Sequence, residues 1–291
     1  MCGIVGLFLK DSALEPRLGE LLAGMLEVMT DRGPDSAGFA VYGVGDADHV
    51  KLTLRGSGLA DIAAVLGGGV TGVLRDTHLV LSVPRSEEER VRGWLATARP
   101  DLVVTGAGQR IELYKEVGLP AQVAGRFQLS AMAGTHGIGH TRMATESAVT
   151  TDGAHPFSTG EDQCLVHNGS LSNHHSLRRM LEPKGIRFAT DNDSEVAAGY
   201  LSWKLREGAT LAEALEASLD DLDGFFTFVV GTESGFAVLR DPISCKPAVM
   251  AETDQYVAFG SEYRALVGLP GIEHARVFEP EPARVYAWER A

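Results

Sequence analysis

Four strand-like runs, at 225–231, 236–240, 248–252 and 256–261, follow one another with no helical stretch between them. A doubly wound parallel sheet needs a crossover helix between neighbouring strands, so this succession fits a layered α+β architecture better. Other segments extend the pattern. An apolar run at 3–9 reads as a buried strand, and 36–42 and 49–54 read as further strands. Leu18, Leu21, Leu22, Met25, Leu26 and Met29 recur at helical spacing, and the Asp31-Arg32-Gly33-Pro34 breaker ends that helix. Helices are also expected at 172–181, 193–207 and 210–219, and strands at 137–145, 163–167 and 284–288.

Between about 56 and 134 the texture changes to an alternation that suggests a small α/β insertion. A short helix is expected around Leu59 to Leu66, strands at 78–83 and 102–104, and a helix at 109–117. Ser86-Glu87-Glu88-Glu89 reads as a capping box opening a further helix. The whole is expected to be a single domain, with no repeats, low-complexity tract or linker.

Composition narrows the function. The 291 residues carry a net charge of −13, which argues against a nucleic-acid partner, because a phosphate backbone demands surplus Lys and Arg. No apolar run approaches the roughly 18 residues of a membrane span. The first residues lack a basic region ahead of an apolar one, so a cytoplasmic location is expected. Three cysteines, Cys2, Cys164 and Cys245, form neither a disulfide framework nor a zinc pattern. Cys164 and Cys245 read as structural. His174 and His175 are adjacent on an expected helix and should face apart, so no metal site is expected.

Cys2 differs in following the initiator Met. Removal of Met1 would leave a thiol and a free α-amine on one residue, with reference pKa values of about 8.5 and about 7.7–8.0. The amine could then take the thiol proton near neutral pH. A buried N-terminal cysteine with no chemistry is the bland alternative, and the downstream residues weigh against it. Cys2-Gly3-Ile4-Val5-Gly6 resembles the opening of class II glutamine amidotransferases, which are N-terminal-nucleophile glutaminases. Arg32-Gly33-Pro34-Asp35-Ser36-Ala37-Gly38, Gly139-His140-Thr141-Arg142-Met143-Ala144-Thr145, His167-Asn168-Gly169 and Asp191-Asn192-Asp193-Ser194-Glu195-Val196 resemble that family's later motifs, in its order. Arg240-Asp241-Pro242 with Lys246-Pro247, and Gly260-Ser261-Glu262, resemble its late strands.

The resemblance implies a four-layer αββα N-terminal-nucleophile fold and assigns roles. Cys2 is the nucleophile, and the Asn168 side-chain amide and Gly169 N–H hold the oxyanion. Arg142 clamps the α-carboxylate of glutamine, whose planar charge its guanidinium fits. Asp193 meets the ammonium, Thr145 adds a hydroxyl and His167 joins the substrate-binding set. Arg32 supports the N-terminal loop. Structural alternatives stand beside these: Arg142 as a surface ion-pair residue, Asn168-Gly169 as a type I′ turn, Asp193 as a helix N-cap. Met143 departs from an aromatic residue common in relatives, and Glu146 from a histidine found in some.

Little chain follows Ser261-Glu262, so a separate synthase subunit is expected to consume the released ammonia. Stand-alone glutaminase-like subunits of the glutamate synthase and N-methylglutamate synthase group are the nearest match in kind. That resemblance implies glutamine or another γ-glutamyl amide as substrate, no cofactor in this chain, and FMN and iron–sulfur chemistry left to the partner. A free-standing amidase and a non-catalytic assembly subunit are the other classes weighed.

Overall fold

The computed structural model describes residues 2–144 and 148–290. Its strands, in chain order, are β1 (Gly3–Leu9), β2 (Ser36–Tyr42), β3 (His49–Arg55), β4 (Thr71–Arg75), β5 (His78–Pro84), β6 (Val103–Gly108), β7 (Ile111–Val117) and β8 (His136–Arg142). They continue with β9 (Phe157–Gly160), β10 (Gln163–Leu171), β11 (Gly224–Gly231), β12 (Gly235–Arg240), β13 (Val249–Glu252), β14 (Tyr256–Gly260), β15 (Arg276–Phe278) and β16 (Tyr286–Glu289). The helices are α1 (Leu18–Val28), α2 (Ile62–Leu66), α3 (Glu88–Ala98), α4 (Pro120–Arg126), α5 (His174–Leu181), α6 (Asp193–Arg206) and α7 (Leu211–Asp221).

Two antiparallel sheets carry the molecule, in the order β15-β13-β14-β1-β8-β2-β7 and β16-β12-β11-β10-β9. The period-two alternation of β1 shows how they stack. Ile4 and Phe8 point to the second sheet and meet Val166, Val229 and Phe236. Val5, Leu7 and Leu9 point the other way, onto Leu18, Leu22, Met25 and Leu26 of α1. The second sheet turns Leu165, Phe226 and Phe228 outward onto Val196 and Tyr200 of α6 and Leu211 and Leu215 of α7. Three cores therefore separate four layers, helix, sheet, sheet and helix, which is the expected α+β sandwich. Each fully buried large side chain contributes about 1.5–3 kcal/mol.

A third sheet, ordered β4-β5-β3-β6, packs on α2 and α3 through Leu52, Leu54, Leu81, Val83, Leu66, Val91 and Leu95. It spans residues 49–108, not 56–134. The segment 109–117 is a strand where a helix was expected. From Ile111 to Val117 it pairs with β2, and its successive residues Leu113 and Tyr114 enter different cores. A free edge of β2 outweighs a weak helical pattern, since it satisfies a whole row of backbone groups at once. The capping box also fails: α3 begins at Glu88, and its N-cap Glu87 makes no side-chain cap bond. Strands β4, β9 and β15 and helix α4 had no clear sequence signal. No helix among the described residues is long and apolar enough to cross a membrane.

Candidate active site

The site forms where the ends of both central sheets meet. Antiparallel pairing sets Gly3 against Thr141, so Cys2 and Arg142 emerge side by side from β1 and β8. Asn168 and Gly169 come from β10 of the second sheet, and Asp193 from the first turn of α6. All five line one cavity of about 630 Å³, together with His155, His167, Asp152 and Lys246.

The backbone at Cys2 is pinned from two sides. Arg32 donates from Nε to Cys2 O at 2.9 Å and from Nη1 to Glu262 Oε1 at 2.6 Å. Asn168 donates from Nδ2 to the same Cys2 carbonyl at 3.2 Å. That bond uses one of the two amide hydrogens and leaves the other for a second acceptor. The Cys2 sulfur is half-buried, 4.0 Å from Met143 O. Gly33 lets the loop bearing Arg32 pass directly over Thr141 and Arg142; a Cβ there would collide with their backbone.

Asn168 and Gly169 lie inside β10, paired with Thr227 and Phe226 of β11. The type I′ turn is therefore not formed. Strand pairing carries the chain straight through, and a side chain at Gly169 would strike Phe225 O. Asp193 is not the helix cap either. Asn192 takes that place, accepting from Ser194 N at 2.8 Å. Asp193 Oδ2 accepts from Leu171 N at 2.9 Å, and the carboxylate, 22% exposed, faces the cavity.

His167 sits behind these groups, its side chain 1% exposed. Its Nδ1 lies 2.9 Å from Ser194 Oγ and 3.9 Å from Asp193 Oδ1, and burial pushes its pKa down. Arg142, 6% exposed, donates from Nη1 to Ala148 O at 3.3 Å. Thr145 and Glu146 lie outside the described residues.

Several supports were not read from the sequence. Asp35 Oδ2 accepts from Ala144 N at 2.8 Å, tying the arginine–glycine loop to the segment after Arg142. Glu195 accepts from Ala189 N and Thr190 N, both at 2.8 Å, and from Thr190 Oγ1 at 2.7 Å. It thereby shapes the loop in front of Asp193. Arg240 donates to Ser244 O at 2.6 Å and Lys246 O at 2.9 Å, holding the loop that brings Lys246 to the cavity. Both Glu195 and Arg240 stand in motifs quoted for the resemblance, but only the fold reveals their partners.

The other cysteines are set apart by environment. Cys164 is fully buried, 3.3 Å from Tyr42 Oη, and burial pushes its thiol up to about 12. Cys245 is exposed on the loop after β12, which does not fit the structural role expected for it. The rings of His174 and His175 do not face apart; their centroids are 4.0 Å from each other.

A family model described as a glutamine amidotransferase domain matches residues 140–268. The chain is 62% identical to the glutamine amidotransferase-like protein GlxB of Rhizobium meliloti, over 99% of this chain and 98% of that one. It is 35% identical to a putative glutamine amidotransferase of Methanothermobacter thermautotrophicus, over 98% and 99%. The chain belongs to the class II glutamine amidotransferases. These are amide-hydrolysing enzymes. The fold agrees with that of the glutamine phosphoribosylpyrophosphate amidotransferase from B. subtilis, at a TM-score of 0.64 and 21% identity. That likeness covers 99% of this amidotransferase but 47% of the larger protein, so the chain spans about half its length.

Proposed function

We propose that this amidotransferase hydrolyses a γ-glutamyl amide, glutamine or γ-glutamylmethylamide, through a thioester on Cys2. The released ammonia or methylamine then passes to a separate synthase subunit of the glutamate synthase type, which would hold FMN and iron–sulfur centres. The observation that carries this reading is convergence: a thiol, an amide donor, a guanidinium and a carboxylate line one cavity. A free α-amino acid with an amide side chain needs all four.

With Met1 removed, the Cys2 α-amine takes the thiol proton and Sγ adds to the amide carbon. The oxyanion receives the second hydrogen of Asn168 Nδ2 and the Gly169 N–H. Collapse breaks the C–N bond as the α-ammonium returns its proton to the leaving amine. Water then adds to the thioester, expelling the thiolate and giving glutamate. Arg142 and Asp193 bind the α-carboxylate and α-ammonium throughout, which fixes the side-chain amide over the sulfur.

A panel of amide donors offered to the purified chain, alone and with co-purified partners, tests this by following glutamate together with ammonia or methylamine. Cys2→Ala should abolish release while leaving the circular dichroism spectrum unchanged. Undiminished release by that variant, or Met1 retained in active protein by mass spectrometry, overturns the mechanism. Failure to recover a flavin-containing partner with the tagged chain, together with full activity alone, overturns the subunit reading.

A further inference from the structure

The cavity wall at 148–155 is gripped from outside by two different sheets. From β7, Lys115, 7% exposed, donates from Nζ to Asp152 O at 3.1 Å and Ala154 O at 2.8 Å. Its neighbour Glu116 accepts from Thr151 Oγ1 and, at 3.1 Å, from Thr77 Oγ1. From the small sheet, Arg55 at the end of β3 pairs with the Asp152 carboxylate. On its inner side the same wall bears on Arg142. Ala148 O accepts from Arg142 Nη1, and Gly153 packs so closely that a Cβ there would come within 3.0 Å of that nitrogen.

We infer that the small sheet serves donor binding: Arg55 is a positioning residue that holds Asp152, and with it the wall 148–155, in the place that keeps Arg142 ready for the donor's α-carboxylate. This rests on the reading of Arg142 given above.

The physical argument has two parts. First, the small sheet is a stiff mount. It has its own apolar core and is tied at several points to the main sheet and to the end of α4. Leu113 N donates to Thr53 Oγ1 at 3.4 Å, Arg75 Nε donates to Tyr114 Oη at 3.2 Å, and the His78 ring meets Phe127 edge-on at 4.7 Å. A guanidinium at the end of such a strand is a fixed point to which an exposed loop can be tethered. Second, Asp152 lines the same cavity as Arg142. A carboxylate there is chemically the same ligand that the donor presents. Unless Arg55 occupies it, Asp152 can turn to Arg142 and compete with the substrate. The Asp152 side chain is 52% exposed and Arg55 19% exposed, so the ion pair is partly screened and its effect is modest rather than all-or-none.

Steady-state kinetics with the γ-glutamyl amide that the wild-type chain hydrolyses tests this. Arg55→Met should raise KM about three- to fivefold with kcat unchanged, since uniform binding is lost and not transition-state stabilisation. Adding Asp152→Asn to Arg55→Met should lower KM again, because the competing charge is gone. Asp152→Asn alone changes an exposed side chain and keeps the test usable if Arg55→Met folds poorly; it should raise KM less than Arg55→Met. An Arg55→Met enzyme with wild-type KM, or one whose kcat falls while KM stays and the second substitution changes nothing, overturns the inference. Absence of hydrolysis by the wild-type chain would instead overturn the proposed function, so the two failures are distinct.

Discussion

Asn168 holds the N-terminal residue and, in the proposed mechanism, also donates to the oxyanion. It donates one hydrogen to Cys2 O, yet that carbonyl also has Arg32 Nε at 2.9 Å. Removing the Asn168 amide should therefore leave the N-terminal residue seated and take away chiefly the oxyanion donor. Asn168→Ala is expected to lower kcat by about 10²–10³ with little change in KM. Initial rates over a range of donor concentrations measure this. A variant with kcat within twofold of wild type would remove Asn168 from the oxyanion site. At this scale much was legible in the sequence: Cys2, Arg142, Asn168, Gly169 and Asp193 were all expected at the site, and they line a common cavity. The structural readings set beside them were less secure. The cap fell to Asn192, and the turn gave way to a continuous strand. The cap is a local choice between adjacent Asn192 and Asp193, whereas the strand depends on pairing with β11, far along the chain.

At the scale of elements, the loop before α6 depends on a residue within the helix. Glu195 reaches back to two backbone N–H groups and one hydroxyl at 189–190. Hydrogen bonds to a charged acceptor each contribute about 1.5–3 kcal/mol when buried. Glu195→Ala should lower unfolding free energy by a few kcal/mol, of that order. It should also raise KM, because Thr190, Asp191 and Asp193 all line the cavity. Urea titration and kinetics together check it; unchanged stability would show that the loop holds itself. The misassigned 109–117 segment belongs to this scale too. Its residues alternate between two cores, but a window of nine residues cannot show that an unpaired strand edge is waiting for it.

For the whole molecule, burial of neutral histidines couples folding to pH. His78, His136 and His140 are all enclosed, and burial lowers each from 6.5 to about 3. The charged form is disfavoured only in the folded state. Between pH 6.5 and 3 the unfolded chain therefore binds more protons, and stability falls as pH falls. Each site adds a slope approaching about 1.4 kcal/mol per pH unit, so the three together approach about 4. Urea midpoints at pH 7, 6 and 5 should drop steadily, and a flat series would contradict the neutral, buried state of these rings. His140 lies at the inter-sheet face, with Nε2 3.1 Å from His167 O.

The sequence by itself determined the layered α+β class, the buried strand at 3–9, and which residues to expect around one site. These are local properties: side-chain type, spacing and order along the chain. The tertiary structure alone decided that β7 closes the edge of β2, and that the small sheet runs from 49 to 108. It also decided that Arg55, Lys115 and Glu116 reach the walls of the cavity. Those choices belong to contacts between segments tens of residues apart. A hydrogen bond or ion pair of that kind leaves no periodic trace in either partner's own stretch of sequence.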